Sequence, residues 1–185
     1  GHGEFASNPW THGMIATAEP TGADISAVAV GPRGRARLAA VQALYQNDMT
    51  GASIVEVIDE FIHHRLPADS DDPTIAGADK VFFARLARGA VAQREFTDAA
   101  ITAALSAGWS LSRLGRIVLA ILRVGGYEIL STEGVPTAVS INEYVDIAHA
   151  FFADKEPAFV NGVLDRLARD AAGADEPGPQ SDGVG

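Results

Sequence analysis

Between Leu114 and Leu130, apolar side chains recur around most of a helical circumference: Leu114, Ile117, Val118, Ile121, Leu122, Ile129 and Leu130. A helix that is apolar nearly all round cannot lie on a surface; other elements must surround it. The segment therefore predicts a buried central helix over about 113–132 and demands several amphipathic helices to wrap it. A chain of 185 residues is long enough to supply them within one domain.

The wrapping helices are legible from their periods. Residues 33–48 carry Leu38, Val41, Leu44 and Tyr45 on one stripe, and Thr50 to Ser53 breaks the run. Ser53 with Glu56 three residues on reads as a capping box for a second helix bearing Ile54, Val57, Ile58, Phe61 and Ile62. A third helix is expected over 77–93 with Val81, Phe82, Leu86 and Val91 inward. A fourth is expected over 95–107 with Phe96, Ala100, Ile101, Ala104 and Leu105 inward, ended by Gly108 as its C′ residue. Beyond the central helix, Ser140 and Glu143 read as a capping box for a helix reaching Phe152, and Pro157 sits in the first turn of the last one. Asn161-Gly162 resembles a hairpin turn, but its apolar neighbours keep a helical period. The expectation is an all-α single compact domain of about seven helices, a helical bundle.

Domain limits follow composition. Residues 1–32 have no period and read as an expression-vector remnant ahead of Met14 followed by a disordered arm. The helical domain spans 33–171, and the Gly-, Pro- and acid-rich residues 172–185 read as a disordered acidic tail. No apolar run reaches membrane-span length and no signal peptide opens the chain, which predicts a cytoplasmic protein. The absence of cysteine excludes disulfides and thiolate zinc sites.

The net charge of −10 opposes general affinity for nucleic acid, so any polyanion site must be local. One local exception exists. Arg33, Arg35 and Arg37 place three guanidiniums within five residues at a helix start. The helix dipole prefers acids there, so helix stability alone would not select them, and the planar fork of arginine suits phosphate. Tyr45, further along the same helix, fits either the core or a base-stacking platform.

Other candidates read as structural. Asp59/His63 and Glu60/His64 lack a third metal ligand and look like a solvated helix end. Gly125-Gly126 inside the central helix implies close approach of neighbouring helices, since two helical glycines cost about 1 kcal/mol each. Trp109 reads as a core anchor. Asn142, Glu143, Asp146, Asn161 and Asp165 are covered by capping and solvation, and no catalytic triad, P-loop or dinucleotide fingerprint is present. No catalysis, cofactor or metal is expected.

In order along the chain, RARLAAVQALYQ (35–46), LARGAV (86–91), LGRIVLAILRVGGYEIL (114–130), VPTAVSINEYVDIAHAF (135–151) and FVNGVLDRLA (159–168) resemble the bacterial NusB family of transcription antitermination factors. The resemblance implies an all-helical fold with two packed helical groups and a non-enzymatic role. Such a protein would bind boxA-type single-stranded RNA together with the ribosomal protein NusE and join an antitermination complex on RNA polymerase during ribosomal RNA synthesis. Arg33, Arg35 and Arg37 fall at the family's arginine-rich start, here interrupted by Gly34. Tyr45 and Phe159 fall at family aromatics beside the RNA, and Lys155 lies within reach of phosphate. Arg123, Tyr127 and Glu128 would face NusE. Neutralising about three phosphates would give a log–log salt slope of roughly −2. Some relatives pair through the arginine face, so a homodimer here would mask the RNA site. Two alternatives stand beside this reading. One is a helical protein-interaction module without direct RNA contact. The other is a domain related to the RNA-binding domains of RNA methyltransferases.

Overall fold

A computed structural model of the chain describes residues 31–131 and 134–174. The expected arm and acidic tail lie outside them, apart from residues 31–32 and 172–174. Among the described residues every regular element is helical: α1 (Pro32–Thr50), α2 (Ile54–Glu60), α3 (Lys80–Ala92), α4 (Arg94–Ala104), α5 (Arg116–Ser131), α6 (Thr137–Phe151) and α7 (Glu156–Ala174). A π-helical turn, Phe61–Arg65, continues α2, and a 3₁₀ turn, Leu111–Arg113, precedes α5. No described helix is long and apolar enough to cross a membrane.

The central segment lies where its pattern placed it. α5 packs against α1, α3, α4, α6 and α7, and Ile117, Val118, Ile121, Leu122 and Val124 are fully buried. α1 packs chiefly on α3 and α5, while α6 and α7 pack on each other and on α5. The glycine pair has the predicted cause. A Cβ on Gly125 would lie 3.1 Å from both the Tyr144 ring and Leu164, and one on Gly126 would lie 3.0 Å from Thr97. Three helices thus approach α5 at one level because it carries no side chain there.

Helix ends obey local chemistry. Ser53 caps α2 by accepting the Glu56 N–H at 3.3 Å, and Asp79 caps α3 by accepting that of Phe82 at 2.9 Å. Gly51, at φ 71°, closes α1 in the left-handed conformation.

Several expectations are corrected. α3 begins at Lys80 rather than 77, because Asp79 takes the cap. α4 ends at Ala104 with Leu105 extended, so Gly108 (φ 88°) serves a separate turn rather than the helix C-terminus. The expected 113–132 helix begins only at Arg116, because Leu114, after the 3₁₀ turn, is extended. Ser140 is no N-cap: α6 starts at Thr137, directly after Pro136, and Ser140 is buried within it. Val81 and Phe96, expected inward, are 81% and 66% exposed. Phe82, Phe83, Leu86, Ala87 and Ala90 make the buried stripe of α3, and Thr97, Ile101 and Ala104 that of α4. Trp109, expected in the core, is 41% exposed. α7 runs through residues 172–174, which were assigned to the tail.

Candidate functional site

The start of α1 meets the start of α3. The Pro32 carbonyl accepts the Asp79 N–H at 3.0 Å, which brings the first turn of each helix together. Phe82, buried on α3, then lies under two of the three arginines. The Arg33 and Arg37 guanidiniums are 4.7 and 5.1 Å from its ring centroid, within cation–π range.

The three arginines have separate fates. Arg37 is only 4% exposed. Its Nε donates to Glu128 Oε1 at 2.8 Å, and its Nη1 lies 3.8 Å from Glu143. Burial works against the Arg37 charge, but the hydrogen bond and charge of Glu128 outweigh it and raise its pKa above the ordinary guanidinium value. The adjoining Tyr144 hydroxyl is pushed well up, first by burial and then by the Glu128 charge, and so stays protonated. Arg35 turns toward the loop before α3, where its Nη1 donates to the Ala76 carbonyl at 3.0 Å. Arg33 remains exposed on the surface. Gly34 follows it and adds no side chain beside it.

The other expected site residues are scattered. Tyr45 is 1% exposed, and burial raises its pKa. It is a core residue, and the stacking role expected for it is withdrawn. Lys155 is exposed in the α6–α7 turn. Phe159, one helical turn on, is half-buried and packs against Trp109 with ring centroids 6.1 Å apart and planes at 45°. The expected partner surface changes as well. Glu128 has no exposed side-chain area, because it serves Arg37. Arg123 is held by Asp98 through two hydrogen bonds of 2.8 and 2.9 Å. Arg123 is still half-buried at the edge of a pocket beside Tyr45 and Asp48, and Tyr127 reaches an open groove beside Ile62, Val81 and Arg85.

The sequence reading missed α3 as a source of charge. Lys80, Arg85 and Arg88 are exposed. The run Lys80–Arg94 holds four cations and no acid, a signal as plain as that of α1. Phe82, read only as a core residue, also serves as the seat for Arg33.

Fold and site together define a helical bundle that offers a cationic recognition surface at the joint of its first and third helices. Residues 34–169 match the NusB family. The chain belongs to that family. Over 140 residues it is 49% identical to the transcription antitermination protein NusB of Caulobacter vibrioides, covering 76% of this chain and 94% of that one. Among solved structures, T. maritima NusB superposes with a TM-score of 0.64 at 30% identity, covering 76% and 92% of the two chains. A chain from a complex of the antitermination factors NusB and NusE with double-stranded RNA gives a TM-score of 0.63 at 25% identity, covering 74% and 96%.

Proposed function

We propose that the protein is a transcription antitermination factor that acts by recognition without catalysis. It binds boxA-type single-stranded RNA together with NusE and joins an antitermination complex on RNA polymerase, supporting ribosomal RNA transcription in the cytoplasm. The helical domain over 33–171 carries this activity.

The observation that carries the reading is the exposed Arg33 guanidinium seated on Phe82 in a chain of net charge −10. Its position is fixed by packing, so it presents charge to a phosphate at reduced cost in side-chain entropy. Exposed Trp109 and the half-buried Phe159 packed against it, with Lys155 one turn before Phe159, supply the aromatic faces that unpaired bases stack on. Membership of the NusB family and the solved complex of NusB and NusE with double-stranded RNA support RNA and NusE as partners. Arg123 and Tyr127, both half-buried, are the residues of the central helix left to contact NusE.

Fluorescence anisotropy of a labelled boxA-type RNA strand, with and without NusE, tests the reading. Added NusE is expected to tighten binding, and Arg33→Ala to weaken it. If the complex with NusE binds RNA equally well when Arg33 and Arg35 are both alanine, the protein is an interaction module that leaves RNA to its partner. Pairing of two copies over the arginine face would compete with RNA, and light scattering with and without the strand reads that competition.

A further inference from the structure

The buried Arg37 and the inward-turned Arg35 leave Arg33 as the guanidinium of the α1 cluster that faces solvent. One cation makes a poor polyanion site on an acidic protein, which raises the question of where other unneutralised charge lies. Elsewhere in the molecule most cations are already matched. Arg65 pairs with Asp72 at 2.8 Å, Arg116 with Asp48 at 3.0 Å and Arg123 with Asp98 at 2.8 Å. On α7, Arg169 pairs with Asp165 at 2.9 Å.

Lys80, Arg85 and Arg88 differ. Among the described residues no carboxylate lies within ion-pair distance of any of them, and all three are exposed. They also share a surface. Lys80, Arg85 and Arg88 border one open groove on α3, and at about 1.5 Å rise per residue the span from Lys80 to Arg88 is about 12 Å. That surface is continuous with the α1 cluster. The Asp79 N–H, immediately before Lys80, bonds to the Pro32 carbonyl, immediately before Arg33. Phe82, two residues on, seats Arg33 itself.

We infer that the RNA path does not end at α1 but continues along α3, where Lys80, Arg85 and Arg88 each take a phosphate. The inference rests on the RNA-binding reading above and extends it. In an acidic chain, cations left without acids are the ones a polyanion can neutralise without first breaking an ion pair, so they bind phosphate at lower cost than Arg116 or Arg123 could. The groove floor beside them, Ile62, Val81 and Ala84, is aliphatic. Of the residues lining the groove only Tyr127 is aromatic, and a single ring does not make the row of stacking faces that single-stranded bases use. The α3 segment therefore contributes affinity and salt dependence rather than base choice.

The test is the salt dependence of binding to the boxA-type strand by the full chain and by the variant K80Q/R85Q/R88Q. All three side chains are exposed, so the variant should fold, and circular dichroism with a thermal melt verifies this. For a single strand the log–log slope is about −0.7 per neutralised phosphate. Arg33 with the three α3 cations gives about −3, and the variant should fall to about −1, with affinity at low salt reduced at least about tenfold. The control R166Q/R169Q removes two paired cations on α7 and should keep the wild-type slope. RNA binding with a slope that the α3 variant does not move overturns this inference and leaves the RNA-binding reading standing. No RNA binding by the unchanged protein, alone or with NusE, overturns both. If the variant loses binding to an acidic amphipathic peptide yet keeps its RNA affinity, the groove serves a protein and the inference is likewise wrong.

Discussion

The two ends of α1 treat arginine in opposite ways. At the C-terminal end, Asp48 accepts Arg94 at 3.3 Å and Arg116 at 3.0 Å, and nearby Asp98 takes Arg123 through a two-bond fork. Guanidiniums there tie α1, α4 and α5 together. At the N-terminal end, Arg33 rests on an aromatic ring and Lys80, Arg85 and Arg88 stand without acids. Net charge conceals this division. A chain of −10 can hold a cationic surface because acids pair with its structural arginines, while among the described residues none lies within ion-pair distance of Arg33 or the α3 cations. Arg37 is the exception that marks the boundary, a member of the N-terminal cluster recruited inward by Glu128.

That boundary can be broken directly, and the effect should be the largest in the molecule. Glu128→Ala leaves the Arg37 charge buried without its main partner, a change that costs about 3–5 kcal/mol for such pairs. Asp48→Ala frees two arginines that already touch solvent, and exposed pairs contribute about 0–1 kcal/mol. Urea denaturation should therefore show a large loss of midpoint for the first variant and a small one for the second. Equal losses would mean that the two ends of α1 do not differ in the way described.

A second change sharpens the cationic end. A Cβ on Gly89 would overlap the Tyr127 ring, so this glycine sets how closely α3 lies on α5 beside the Arg85–Arg88 surface. Overpacking of this kind costs about 1–3 kcal/mol, and replacing a helical glycine by alanine returns about 1 kcal/mol. Gly89→Ala should destabilise the protein by about 1 kcal/mol in thermal or urea melts. Placed on a Tyr127→Ala background, the same substitution should stabilise it, since the clash is gone and the helix propensity remains. A substitution with the same sign in both backgrounds would place the strain elsewhere.

The sequence disclosed what depends on near neighbours. The all-round apolar pattern of Leu114–Leu130 and its glycine pair marked the buried helix and its close approaches, and Ser53 marked its own cap. It was misleading where two local rules competed. Ser140 and Glu143 have capping-box spacing, yet Pro136 fixes the helix start earlier, and Glu143 instead faces Arg37. The site was legible only as a cluster. Nothing in RGRAR tells which arginine is buried, because Arg37 meets a partner 91 positions away. Tyr45 likewise has a helix position compatible with either core or surface until α3 and α5 are packed around it. The α3 cations were visible as an acid-free run, but their kinship with α1 depends on the Pro32–Asp79 contact, which only the tertiary fold supplies.

The smallest expected effect concerns the loop that supports the cationic end, and it depends on pH. Arg35 anchors this loop at Ala76, and Asp72 organises it from within. Burial alone would push the Asp72 carboxyl up. The hydrogen bonds from the Thr74 hydroxyl at 2.6 Å and its N–H at 3.2 Å, with Arg65 at 2.8 Å, outweigh burial and hold the pKa below its ordinary 3.8. A carboxyl depressed on folding contributes stability that is fully present above its unfolded pKa and is lost as the pH falls through the folded one. Asp72→Asn should therefore reduce stability at pH 7, while the gap between the variant and the unchanged protein should close in urea titrations taken progressively below about pH 4. A gap that stays constant through the acid range would show that Asp72 supports the loop by shape alone.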